Sequence, residues 1–172
     1  MSAELLRHVN ALVADLAADH GRIDLVGRRC ECSVRARDAL RDRFESYGVV
    51  GGAGVRAHGD RGVLLVRYEP DGEWLEPGAE RRPGESYREC ARRAFANATG
   101  IEATLEDLPQ VHVLYMDDGT GRPAVPNPYL VFDGRASDGH AAAGPGVAET
   151  RWVESPPSAV GYAELAELSL PE

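Results

Sequence analysis

Glu85, Glu89 and Arg93 recur at four-residue intervals in the middle of the chain. On a helix, positions i, i+4 and i+8 share a face, and the ordinary product is an ion-pair ladder worth about 0.2 to 0.5 kcal/mol per pair. The sharper chemistry for the same carboxylates is to hold a divalent cation on Glu89, with Glu80 or Glu85 helping. Around them stand Arg81, Arg82, Arg88 and Arg92, a local basic cluster in an acidic chain. Guanidinium groups bind phosphate oxygens through paired hydrogen bonds, so the cluster could hold a diphosphate without metal; the alternative is a solvated helix face. Tyr68, Trp74, Tyr115 and Tyr129 offer rings for stacking a nucleobase or for packing. Cys30 and Cys32 point to one side of a strand, too few for a metal site and suited to burial. The five histidines include no His-x-x-x-His pair. Asp117-Asp118 reads as turn chemistry.

These residues need a frame, and the periodicity supplies one. Leu5, Leu6, Val9, Leu12, Val13 and Leu16 recur at helical spacing from Ala3 to Ala17, and His20-Gly21 ends the helix. Leu25 to Val34 alternates as a strand, and Ser33 precedes a second helix, Arg35 to Tyr47, with Ala39, Leu40, Phe44 and Tyr47 on one side. After Gly48 the signals become short strands. Val49 to Ala57 and Val63 to Val66 form a hairpin around His58-Gly59-Asp60-Arg61-Gly62. Pro83-Gly84-Glu85-Ser86 opens a helix, Glu85 to Ala98, that Gly100 closes. Val111 to Met116, Tyr129 to Phe132 and Trp152-Val153 are strands, Gly134 to Gly146 a loop, and Tyr162 to Leu168 a closing helix. Strands around one internal helix, with helices at both ends, predict an α/β layered domain. Residues 1–47 read as an N-terminal helical extension and 48–172 as the main domain.

The stretch from Leu75 to Ile101 resembles the Nudix hydrolase box, G-x5-E-x7-R-E-U-x-E-E-x-G-U with U apolar, which usually follows a Leu-Pro-Gly-Gly turn. Its first glycine falls on Ala79, its first glutamate on Glu85, its arginine on Arg93, its apolar positions on Phe95 and Ile101, and its last glycine on Gly100. Its three helical glutamates fall on Ala94, Asn97 and Ala98. In the family those carboxylates hold the magnesium that activates water and neutralises the pyrophosphate. Spaced i, i+3 and i+4, the three positions share one helix face. Magnesium needs hard oxygen ligands, which two methyl groups and a neutral amide do not supply. The resemblance extends from about Val49 to Leu168 and implies an α/β/α sandwich with a mixed sheet. It implies that Glu85 and Arg93, the retained catalytic-box positions, brace the loop against the helix. Arg67, Gly78, Glu80 and Arg82 are the implied substrate-side residues, and Glu89 and Glu149 the candidates for a relocated metal. Arg67 has a competing reading as a hairpin charge.

Composition narrows the partners. With 172 residues there is room for one core, and no disulfide or structural metal is needed to stabilise it. Three cysteines argue against a secreted disulfide scaffold, no run reaches the roughly 20 apolar residues of a membrane span, and no signal peptide is visible, so a cytoplasmic location is expected. The net charge of −9 works against duplex nucleic acid. All nineteen basic residues are arginine, which fits either a GC-rich genome or a high-salt cytosol. The first functional reading is a module that binds a nucleoside diphosphate-linked small molecule, with metal-dependent hydrolysis weak or lost and no cofactor expected. The second is an active hydrolase of a nucleotide-sugar-like diphosphate, with magnesium on relocated carboxylates. The third is a structural subunit whose N-terminal helix joins a homodimer or a partner protein through Leu5, Val9, Leu12 and Leu16.

Overall fold

The computed structural model describes residues 2–166. Helix α1 (Ser2–His20), strand β1 (Asp24–Glu31) and helix α2 (Val34–Tyr47) come first. Strands β2 (Gly52–Gly59), β3 (Gly62–Arg67) and β4 (Gly78–Glu80) lead to helix α3 (Tyr87–Thr99). Strands β5 (Ala103–Asp117), β6 (Val125–Ala136) and β7 (Glu149–Val153) and the short helix α4 (Ala163–Ala166) follow. The last two residues of the expected closing helix, Glu167 and Leu168, lie outside the described residues.

The strands form one mixed sheet in the order β1-β5-β6-β2-β3-β7, with β4 beside β2. Pairing is parallel between β1 and β5 and between β2 and β6, and antiparallel elsewhere. Alternation along the strands sorts the side chains into two layers. Ala53, Val55 and Ala57 of β2, Leu64 of β3, Val111 of β5, and Leu130 and Phe132 of β6 pack with Cys90, Ala91 and Phe95 of α3. Leu5 and Val9 of α1 join the same layer through Val50, Val113 and Val125. The opposite layer is Val63, Leu65 and Val153 against Trp74, Tyr162 and Leu165. The result is an α/β/α sandwich around a mixed sheet.

Several boundaries differ from the sequence expectation. Helix α3 starts at Tyr87 rather than Glu85, because Ser86 is its N-cap and forms a reciprocal capping box with Glu89. At its far end Gly100 takes φ +73°, and its N–H donates to the Ala96 carbonyl. In α2, Leu40 and Phe44 pack inward, whereas Ala39 is exposed and Tyr47 is 67% exposed. The buried residue of that helix is instead Arg37, which donates to the Pro123 carbonyl and lies 3.7 Å from Asp118. Strand β6 runs three residues into the expected Gly134 to Gly146 loop, and β7 begins three residues before Trp152. Residues 1–47 do more than extend the fold, since β1 pairs along its whole length with β5. The stripe of α1 read as a dimer surface has Leu5 and Val9 buried against the chain's own sheet.

Candidate functional site

The box region keeps its frame. The Arg93 guanidinium grips Glu85 through two hydrogen bonds of 2.6 and 2.9 Å and donates to the Glu80 carbonyl at 2.9 Å. Glu85 also accepts from the Arg82 backbone N–H at 2.9 Å. The Arg93 bonds hold the Glu85 carboxyl down at about 2, and the two residues brace the 78–86 loop on α3. This pairing corrects the helical ladder: Glu85 precedes the helix, and Glu89 bonds the Ser86 N–H at 2.8 Å instead of Arg93.

At the three ligand positions the residues do not fit magnesium. Ala94 and Ala98 are 3% and 5% exposed, and Asn97 is exposed. The segment after β6 lies along the end of this helix, where Gly144 N–H donates to the Ala98 carbonyl at 3.0 Å and Ala142 N–H to the Thr99 carbonyl at 2.9 Å. The approach is so close that a Cβ on Gly144 would stand 1.8 Å from the Asn97 carbonyl oxygen. Nor do the other carboxylates converge. Glu80 pairs with Arg43, Glu149 with Arg67 and Arg151, and Glu89 caps the helix. Among the described residues no group of three His, Cys, Asp or Glu side chains could hold a metal. Its oxygen donors scattered, this helix face and its neighbouring carboxylates do not fit magnesium.

The arginine cluster is dispersed as well. Arg81 lies over the Tyr87 ring and Arg88 over Phe132, while Arg82 and Arg92 are exposed. Arg67 sits over Trp74 and bonds Glu149, as a cross-strand pair between β3 and β7. Neither Arg67 nor Arg82 lines the cavity that Gly78 and Glu80 help to form.

That cavity, about 350 Å³, opens on the face of the sheet opposite α3. Gly51, Gly52, Tyr68, Glu76 and Tyr129 line it together with Arg28, Leu114, Asn127 and Tyr162. Glycine is required where backbone and rings crowd together. A Cβ on Gly78 would lie 1.8 Å, and one on Gly54 2.3 Å, from the Tyr129 hydroxyl. Gly51, at φ +79°, abuts the Pro128 carbonyl. Tyr68 closes one side by donating to the Gly78 carbonyl at 3.0 Å. Tyr129 lies in the wall, whereas Trp74 is buried in the second core layer and Tyr115 stands 38% exposed.

Behind the cavity lies a polar network that sequence reasoning missed. Glu76, 2% exposed, accepts from the Tyr162 hydroxyl at 2.6 Å. Arg56 donates to that hydroxyl at 3.0 Å and to Gln110 Oε1 at 2.6 Å, and His112 Nε2 meets the same oxygen at 2.7 Å. Burial pushes the Glu76 and Tyr162 groups up, and burial together with Arg28 holds His112 down at about 4. The available signals were a Glu where the Leu-Pro-Gly-Gly turn carries leucine, and two polar side chains at alternate positions, Gln110 and His112, in an apolar strand. Chemically the cavity offers apolar and aromatic walls with a few convergent polar groups, the usual make-up of a small-molecule site.

Residues 49–157, more than half of the chain, match the family model described as NUDIX domain. Among solved structures the chain is similar to a NUDIX hydrolase from Nitrosomonas europaea, with 17% identity and a TM-score of 0.55. That likeness covers 69% of this chain and 66%, just under two thirds, of the other. An ADP-ribose pyrophosphatase from Streptococcus suis is 15% identical, with a TM-score of 0.51, over 69% of this chain and 87% of that one. At these identities the likeness carries the fold alone. No curated protein matches the chain. No helix among the described residues is long and apolar enough to cross a membrane.

Proposed function

Because the chain belongs to the Nudix family, we propose that it binds a nucleoside diphosphate-linked small molecule in the Gly78–Tyr129 cavity, with metal-dependent pyrophosphate cleavage weak or lost. The observation that carries this reading is the helix face where the family places its metal ligands. Here that face presents Ala94, Asn97 and Ala98, with both alanines buried and Gly144 seated against the neighbouring backbone. Metal-assisted cleavage depends on charge neutralisation and an activated water, and both require oxygen ligands. The cavity is independent of that face, since it opens on the other side of the sheet and its glycine-lined wall is intact. Its volume lies within the range of about 300 to 1,000 Å³ usual for small-ligand sites. The ADP-ribose pyrophosphatase likeness makes ADP-ribose a reasonable first probe.

Turnover provides the test. The protein is incubated with ADP-ribose, a nucleotide-sugar and a dinucleoside polyphosphate, in magnesium and in manganese, and products are separated by chromatography. No metal-dependent cleavage above the protein-free control is expected. Cleavage that depends on metal and is lost with Glu89→Gln or Glu149→Gln would establish the relocated-carboxylate reading instead.

A further inference from the structure

The cavity contains a cation that the matched domain does not supply. Arg28 is on β1, in the segment before residue 49 where the family match begins, and β1 places it beside Leu114 of β5 in parallel register. Its side chain lines the cavity, with the guanidinium 4.9 Å from the Tyr162 ring centre. Other arginines of the N-terminal segment are engaged: Arg29 pairs with Asp117, Arg37 with Asp38 and Asp118, and Arg43 with Glu80. Among the described residues no carboxylate lies within 4 Å of an Arg28 nitrogen, and its buried Nε has no hydrogen-bond partner. Across the same cavity the buried Asn127 Oδ1 also lacks a partner. Arg28 is half-buried, but its buried Nε and the buried Asn127 Oδ1 are both unpaired, and such atoms are costly unless something completes them. The Glu76 carboxyl, which also lines the cavity, is already engaged by Tyr162.

We infer that Arg28 is the anion-binding residue of this cavity: it holds a phosphate of the ligand directly, in place of a metal, while Asn127 Oδ1 accepts from a donor group on the same ligand. A guanidinium suits this role, because its planar fork donates two parallel hydrogen bonds to a phosphate and its charge is permanent. The Tyr162 ring beneath it fixes its orientation. The segment ahead of the matched domain thus completes the binding site as well as the sheet. This rests on the reading that the cavity binds a phosphorylated nucleoside.

Calorimetry with ADP-ribose, AMP and uncharged adenosine, all in chelator, separates the two. Wild-type protein should bind ADP-ribose and AMP. Arg28→Gln should weaken both by about ten- to a hundredfold, the worth of a charge-assisted hydrogen bond, and leave adenosine unchanged. Arg29→Gln, whose partner is Asp117, should bind as wild type does. Unchanged ADP-ribose affinity in Arg28→Gln, or equal losses in the two variants, would overturn the Arg28 assignment and leave the binding reading standing. Failure of wild-type protein to bind any of the three would sink the binding reading itself. Should Arg28→Gln not fold, phenylglyoxal modification of the wild type decides. Peptide mass mapping should find Arg28 protected by ADP-ribose, and equal modification with and without ligand would overturn the assignment.

Discussion

Ala98→Glu restores the last carboxylate of the family's metal set, and the structure sets its cost. The Ala98 methyl is 5% exposed, so the longer side chain needs space that the packed segment occupies. Overpacking alone costs about 1 to 3 kcal/mol, and a carboxylate held there without a partner costs several more. The cheaper route is to lift the segment off the helix. That gives up the bonds from Gly144 to Ala98 and from Ala142 to Thr99, at about 1 kcal/mol each. The variant should therefore lose about 2 to 4 kcal/mol, a Tm fall of about 5 to 15 °C for a chain of this length. Asn97→Glu, one residue away but exposed, should stay within about 0.5 kcal/mol of wild type. Both variants add one negative charge near the helix C-terminus, so the dipole contribution largely cancels between them. Differential scanning calorimetry measures the difference, and hydrogen exchange should show faster exchange of the Ala142 and Gly144 amides in Ala98→Glu alone. Equal Tm values for the two variants would refute the claim that this face is closed.

Three further outcomes follow from the side-chain network. His112, buried and held at about 4 against an ordinary 6.5, stays neutral in the folded protein while the unfolded chain takes up a proton. Its contribution is fully present above pH 6.5 and lost as pH falls towards 4, about 3 kcal/mol in all; the stability difference between wild type and His112→Gln, followed by urea unfolding, should shrink across that window. Glu85→Gln removes the brace on Arg93 and should cost about 2 to 3 kcal/mol at pH 7, a penalty that fades between pH 4.5 and about 2 because the native carboxylate is itself protonated there. Asp118→Asn leaves the buried Arg37 with Asp38 alone and takes the carboxylate from Arg122, and a loss of about 1 to 3 kcal/mol with faster tryptic cleavage in 34–47 is expected from thermal and proteolytic assays.

The frame of the fold could be read because its punctuation is local. Ser86 and Gly100 mark the ends of α3 through their own caps, and Gly62, at φ +101°, closes the hairpin turn. Where a local pattern admitted two outcomes, tertiary structure decided. Glu85 and Glu89 have ladder spacing, but the cap at Ser86 removes the first from the helix and occupies the second. The cavity was illegible for another reason. Arg28, Glu76, the β6 pair Asn127 and Tyr129, and Tyr162 are separated by tens of residues, and only the tertiary fold brings them together. The parallel pairing of β1 with β5, which delivers Arg28, leaves no signature in either strand alone. The Asp117-Asp118 turn likewise gave no hint that both carboxylates anchor arginines of the N-terminal segment, Arg29 and Arg37.

The central claim, binding of a nucleoside diphosphate without metal, is tested most directly by titrating the wild-type protein with ADP-ribose in a calorimeter, once in chelator and once in excess magnesium. A Kd between micromolar and millimolar, about 4 to 8 kcal/mol, is predicted, unchanged between the two conditions, with ligand recovered intact from the cell. Binding that appears only with magnesium, or ligand recovered as AMP and ribose phosphate, would contradict it.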